Sequence, residues 1–231
     1  MDRLQYIDLL VSLPHLRNPF VSEQTPISRV QLTKRLRVLA PEHQQLLNMV
    51  SHTLYWGQLE SEVGESELLR RVALMRRELE DSQLWQWIQW RLDVRFLMAA
   101  LRLRRDQAEP PEPEDYGAYS QYAHIVQRHW THSTFRLEGR FPWLVQVAPL
   151  LEEGDAVGLE KALLGEVWRY YTRQMHKVQY GIEAVFLYMA RWDLVDRWTG
   201  YRHSLARQRF DGLVQQSLDE ARAVLQREGH L

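Results

Sequence analysis

The sequence predicts an all-α protein, a multi-helix bundle of about nine helices, and three observations carry that prediction. Phe210, Leu213, Val214, Leu218, Ala221, Val224 and Leu225 recur at spacings of three and four, which places them on one stripe of a helix. Just upstream, Ile182, Val185, Phe186, Met189, Trp192 and Val195 form a second such stripe, with a joint between the two expected near Gly200. The punctuation elsewhere is also helical: caps and stops recur between apolar stretches. Amphipathic helices cannot bury their apolar faces alone, so these must pack on one another.

From the N-terminus, Leu4 to Leu13 is short and apolar, and helix and strand are both open there. Pro14 ends it, and His15 to Thr25 reads as loop. Ser28 opens a helix, with Gln31 at capping-box spacing and Val30, Leu32, Leu36 and Leu39 as its apolar positions. Pro41 suits the first turn of the next helix, where its missing N–H costs nothing; this helix runs through Leu54 to Gly57. Gly64 marks a break before a charged helix over Ser66 to Glu80. Asp81 or Ser82 then caps a long helix reaching about Arg105. Its apolar positions extend more than halfway round, which makes it central.

Residues 106–115 open with DQAEPPEPE, whose prolines and acids favour an extended, solvated backbone. They form the expected linker between an N-terminal helical lobe (1–105) and a C-terminal one (116–231), or a loop out of one continuous domain. The second half is expected to open with a helix over Tyr116 to His132. A loop containing Gly139 and Pro142 follows, then a short helix over Trp143 to Leu151. Gly154 stops that helix, and Asp155 caps one carrying Leu159, Leu163, Val167, Trp168, Tyr171 and Met175.

The composition bounds the function. The 231 residues hold 29 basic and 30 acidic side chains, a formal charge of −1, and nothing in that balance asks for nucleic acid. The absence of cysteine rules out disulfides and thiolate metal sites. The stretch MDRLQYIDLLVSLP carries Asp2 and Asp8 and lacks the long apolar core of a signal peptide. No run approaches the roughly 18 apolar residues that cross a bilayer. A cytoplasmic protein without direct membrane insertion is expected. The nine tryptophans either fill gaps between helices or stand exposed as docking anchors.

The chemistry-bearing patterns are sparse. His124, His129 and His132 are the best metal candidates, but spacings of five and three scatter them around a helix, where a two-histidine clamp needs four. Glu-x-x-His, the signature of carboxylate-bridged bundles, does not occur. His176 and Glu183 stand two helical turns apart. There is no Gly-x-Ser-x-Gly elbow, no phosphate-cradling Gly-x-x-x-x-Gly-Lys loop and no dinucleotide fingerprint. Acidic pairs such as Glu152–Glu153 and Asp193–Asp196 read as solvated faces or salt-bridge partners. The basic clusters Arg70–Arg71, Arg76–Arg77 and Arg102–Arg105 read as solvated faces whose stems cover core edges, with phosphate binding as the functional alternative. Neither a catalytic residue, a cofactor nor a metal ligand is assigned.

Two segments carry a resemblance. The first is YIDLLVSLPHL, followed by Pro-Ile-Ser at Pro26 to Ser28 and a leucine-bearing helix. The second is YGIEAVFLYMARWDLVDRW, Tyr180 to Trp198, followed by the Phe210 helix. Together they resemble a bacterial family encoded alongside components of V-type (vacuolar/archaeal-like) ATPases. The second also looks like a distant echo of the C/d family of V-type ATPase components, in which an all-helical, funnel-shaped protein caps the rotor ring and couples it to the central stalk. The resemblance covers the two ends of the chain and covers 58–138 poorly. It carries over no catalytic residue. It implies a non-enzymatic helical subunit or accessory protein with V-type ATPase subunits as protein partners, lying in the cytoplasm or peripheral to the inner membrane through them. The alternatives are a metal-binding bundle or helical enzyme using His124, His129 and His132, and a stand-alone helical adaptor.

Overall fold

In the computed structural model, which describes residues 3–54, 65–112 and 120–202, all regular structure is helical and no strand occurs among the described residues. The helices are α1 (Arg3–Ser12), α2 (Arg29–Leu36), α3 (Pro41–Leu54), α4 (Glu65–Leu79), α5 (Gln83–Arg105), α6 (Ala123–Arg128), α7 (Leu144–Glu152), α8 (Ala156–Met175) and α9 (182–202). A single 3-10 turn spans Pro19–Val21. The all-α architecture anticipated from the apolar spacing is therefore the observed one. The Phe210 stripe and the Gly57 and Gly64 breaks lie outside the described residues.

The caps explain the boundaries. Ser28 and Gln31 form a reciprocal capping box at the start of α2. The Ser82 hydroxyl accepts the Trp85 N–H to open α5. The Asp155 carboxylate accepts the Gly158 N–H to open α8. α5 and α7 end alike. The Ala108 N–H bonds the Leu103 carbonyl and the Gln107 N–H the Arg104 carbonyl, with Gln107 left-handed at φ 58°. Asp155 and Gly154 repeat the pattern on Leu150 and Leu151, with Gly154 at φ 73°. Both are Schellman stops. So α5 is halted by its own backbone before the prolines are reached.

α5 is the central helix: 13 of its 23 residues are buried. Met75, Ile88, Leu92, Leu97, Val126, Leu144, Leu164, Val185 and Leu187 have essentially no solvent exposure. One contiguous cluster of buried side chains runs from Tyr6 to Trp198 and draws on both sides of 106–112. The described part of the linker, 106–112, is a turn followed by irregular backbone, and Pro111 is buried rather than solvated. The tryptophans side with gap filling. Of the eight described, Trp90 and Trp130 are half-buried and the other six are buried.

One open reading closes and one expectation changes. The open segment, Leu4 to Leu13, is helical as far as Ser12, because a helix buries Tyr6 and Leu9 on one side, and Leu13 just beyond α1 joins them in the core. The helix expected over Tyr116 to His132 is confined, among described residues, to Ala123–Arg128. Beyond it the chain turns, with Phe135 and Arg136 both left-handed at φ 54° and 58°. α9 runs through Gly200 to residue 202, and the helix expected beyond the joint lies outside the described residues. The helical cost of a glycine, about 1 kcal/mol, is outweighed by burial of Trp198 just before it.

The two segments that carry the resemblance meet in space. The Tyr188 hydroxyl donates to the Pro14 carbonyl at 2.9 Å, and the Trp192 indole N–H to the Ile27 carbonyl at 2.9 Å. Arg29 pairs with Asp196 at 2.9 Å, and its guanidinium lies 4.9 Å from the Trp192 ring centre. They form a seam that closes the N-terminal helices onto α9.

Candidate functional site

A cleft of about 1060 Å³ opens between α4, α5, the turn before α6, the approach to α7, and α8. Helix geometry aims its walls. From α5, Trp85, Gln86, Gln89, Trp90 and Asp93 face it at spacings of one, three, one and three, a single helical side. From α8, Glu166, Arg169, Tyr170 and Arg173 do the same at i, i+3, i+4 and i+7. This stripe lies beside the buried Leu164, Val167 and Tyr171 of the same helix. Arg76 comes from the last turn of α4. Gln121 and Tyr122, and the run from Gly139 to Trp143 with Gln146, close the remaining side.

The floor is aromatic and largely self-supporting. Trp90 and Tyr170 stack at 3.6 Å with ring planes 5° apart. Tyr122 meets Phe141 edge-on at 5.0 Å, and Phe141 meets Trp143 at 6.2 Å. The Trp143 indole N–H is buried with no acceptor among the described residues. Burial pushes the Tyr170 phenol up to about 12, against the pull of Arg140 and Arg173.

The charge is lopsided, with four guanidiniums facing two carboxylates. Glu166 holds Arg169 at 2.5 Å and Arg173 at 3.8 Å, so one acid orients two cations. Arg140 donates from Nε to the Tyr122 hydroxyl at 3.2 Å, and the Arg76 guanidinium sits 5.7 Å from the Trp85 ring centre. Among the described residues neither Arg76 nor Arg140 is in an ion pair. Asp93 is 3% exposed and accepts from Ser120 Oγ at 3.0 Å and Gln89 Nε2 at 3.1 Å. Burial raises its carboxyl to about 6, with those hydrogen bonds pulling the other way. Its lone pairs are committed to neutral donors, so it fixes the wall. Chemically the cleft can attract anions, hydrogen-bond through glutamine amides and offer flat apolar surface.

A second enclosure, about 30 Å³, lies between α3, α5, α8 and α9 beside Arg91, Tyr171 and Asp193. Burial lowers the Arg91 guanidinium to about 10 and raises the Asp193 carboxyl. It holds no more than water.

The histidines do not converge. His124 is exposed on α6, and the His129 N–H closes that helix on the Ile125 carbonyl. His132 Nδ1 accepts the N–H groups of Thr134 and Arg136, each at 3.3 Å, holding the left-handed turn. Arg104 clamps the same turn, donating to the His132 carbonyl at 2.6 Å and lying 5.2 Å from the Phe135 ring centre. Among the described residues no group of three or more His, Asp or Glu side chains stands ready for a metal ion. His176 caps α8 while Glu183 belongs to α9, so they share no helical face. Of the acidic pairs, Glu152 meets Arg104, and Asp193 and Asp196 both face Arg29. Arg70 and Arg71 pair with Glu67, and Arg105 with Asp106. Of the basic clusters only Arg76 reaches the cleft.

Sequence reasoning missed Asp93, Arg140, Arg169, Tyr170 and Arg173. For Arg169, Tyr170 and Arg173 the signal was the polar Glu-x-x-Arg-Tyr-x-x-Arg spacing along α8, which reads equally as an ordinary solvent face, and nothing in the sequence marked Asp93 or Arg140. Among the described residues no helix is long and apolar enough to cross a membrane. Comparison of the chain with protein-family models, curated proteins and solved structures returned no match.

Proposed function

We propose that this chain acts by docking, as a non-enzymatic helical subunit or accessory protein of a bacterial V-type ATPase. The observation that carries the mode of action is the cleft. It gathers four arginines with the half-buried Trp90, Tyr122 and Tyr170, side-chain types that dominate binding hot spots, on a helical frame. Its two carboxylates are spent on orienting neighbours. The partner assembly comes from the resemblance of the two end segments. On this reading the chain holds no nucleotide or metal and sits peripheral to the inner membrane through its partners.

The test is affinity purification of the tagged chain from native cells, with the retained proteins identified by mass spectrometry. ATPase subunits retained in fixed ratio are the expected result. Their repeated absence, together with absence of this chain from an intact and active ATPase, overturns the assignment. A different fixed partner would identify a stand-alone adaptor.

A further inference from the structure

We infer that the cleft between α5 and α8 is a groove for an acidic, extended peptide segment of a protein partner, with its carboxylates on the Arg140, Arg169 and Arg173 side and its apolar side chains on the aromatic floor. This rests on the docking reading and names the surface and the chemistry it takes.

Charge complementarity is the first argument. The chain as a whole carries −1, yet this cleft gathers four arginines against two carboxylates. A local excess of about two positive charges draws an acidic segment and rejects a basic one. It is too small a footprint for a nucleic-acid backbone, which is met by basic stripes across a whole domain.

Size and lining are the second. Small-molecule pockets of roughly 300–1,000 Å³ are mostly apolar with a few convergent polar groups. This cleft, at about 1060 Å³, adds four glutamines to its four arginines. Gln89 and Gln121 are turned to Asp93, and the Gln86 and Gln146 amides suit the repeating N–H and C=O groups of a peptide backbone.

Spacing is the third. Arg169 and Arg173 lie four residues apart on α8, a rise of roughly 6 Å. Alternate side chains of an extended strand are roughly 6.6 Å apart on one side. Carboxylates at every second residue therefore match the arginine row, and both guanidiniums are already held by Glu166. Preorganised cations lose less freedom on binding.

The experiment titrates the full chain with a capped peptide alternating glutamate and leucine, followed by tryptophan fluorescence and calorimetry. A lysine–leucine peptide and citrate serve as comparators. Saturable binding of the acidic peptide is expected, absent for the lysine peptide and weakening steeply with salt. Arg140→Glu and Arg173→Glu should each weaken it at least about tenfold, while Lys34→Glu, exposed on α2 away from the cleft, should leave it unchanged. Thermal melts establish that each variant is folded, and either cleft variant alone suffices. Binding that ignores both cleft variants, or responds equally to Lys34→Glu, overturns the proposal. So does citrate binding as tightly as the peptide, which would make the cleft a small-anion site. Peptide binding without ATPase subunits in the purification would sink the ATPase assignment and keep the groove. Retention of those subunits by Arg140→Glu and Arg173→Glu would do the reverse.

Discussion

Asp93 shows how one buried side chain makes stability depend on pH. Its carboxyl titrates near 6 in the fold and near 3.9 in an unfolded chain. The folded state therefore holds the proton longer, so this group's contribution falls as pH rises from about 4 to about 6 and stays low above that. Asp93→Asn keeps an acceptor for Ser120 and Gln89 without the charge. It should raise stability at pH 8 by on the order of 1–3 kcal/mol and flatten the pH 4–6 slope, read from denaturant midpoints across pH. An unchanged slope would remove Asp93 as its source. Gln107 and Gly154 form a matched pair, both left-handed at a helix end. Gln107→Gly should stabilise the chain by about 1 kcal/mol, and Gly154→Ala should cost about 1 kcal/mol even though nothing crowds its added methyl. Thermal melts of both settle whether backbone conformation alone sets these effects.

Among the helices and turns, the caps are legible in the sequence and the turns are not. Ser28–Gln31 and Gly154–Asp155 are local patterns, fixed by hydrogen bonds within four residues, so spacing alone reveals them. Ser28→Ala should cost about 1 kcal/mol by removing the hydroxyl that accepts the Gln31 N–H. Fraying of α2 in amide hydrogen exchange is the check, and protection equal to wild type would show the cap to be idle. The helix expected to reach His132 stops at Arg128, and the chain turns from there. His132 Nδ1 holds the turn locally, and Arg104, 28 residues away, clamps it by donating to the His132 carbonyl. No local rule contains that contact. Gly200 lies within α9, two residues before the end of the described chain. A glycine weakens a helix by about 1 kcal/mol, and burial of neighbours such as Trp198 overrides a preference of that size.

Across the chain, the fold is closed by α9 on the N-terminal helices. Trp192 is 1% exposed and bonds Ile27 across 165 residues of sequence. Phe20 meets Trp198 edge-on at 5.0 Å, and Arg197 forms an ion pair with Glu160 on α8. Trp192→Phe leaves the Ile27 carbonyl without its donor and opens a void, at a cost of about 2–3 kcal/mol. For a chain of this size that is a fall of roughly 5–10 °C in Tm. A loss under about 1 kcal/mol would mean the seam contributes little. Local pattern was enough to establish the helical class, the position of most helix ends and the buried face of the longer helices. All of these follow from hydrogen bonds and periodicities within a few residues. Which faces meet was settled by packing alone, and packing brought Arg76, Asp93, Arg140 and Arg173 from four separate segments to one cleft. Periodicity tells a helix which side must leave water, but not which neighbour will cover it, and the polar stripe left over is unmarked until another such stripe is set opposite.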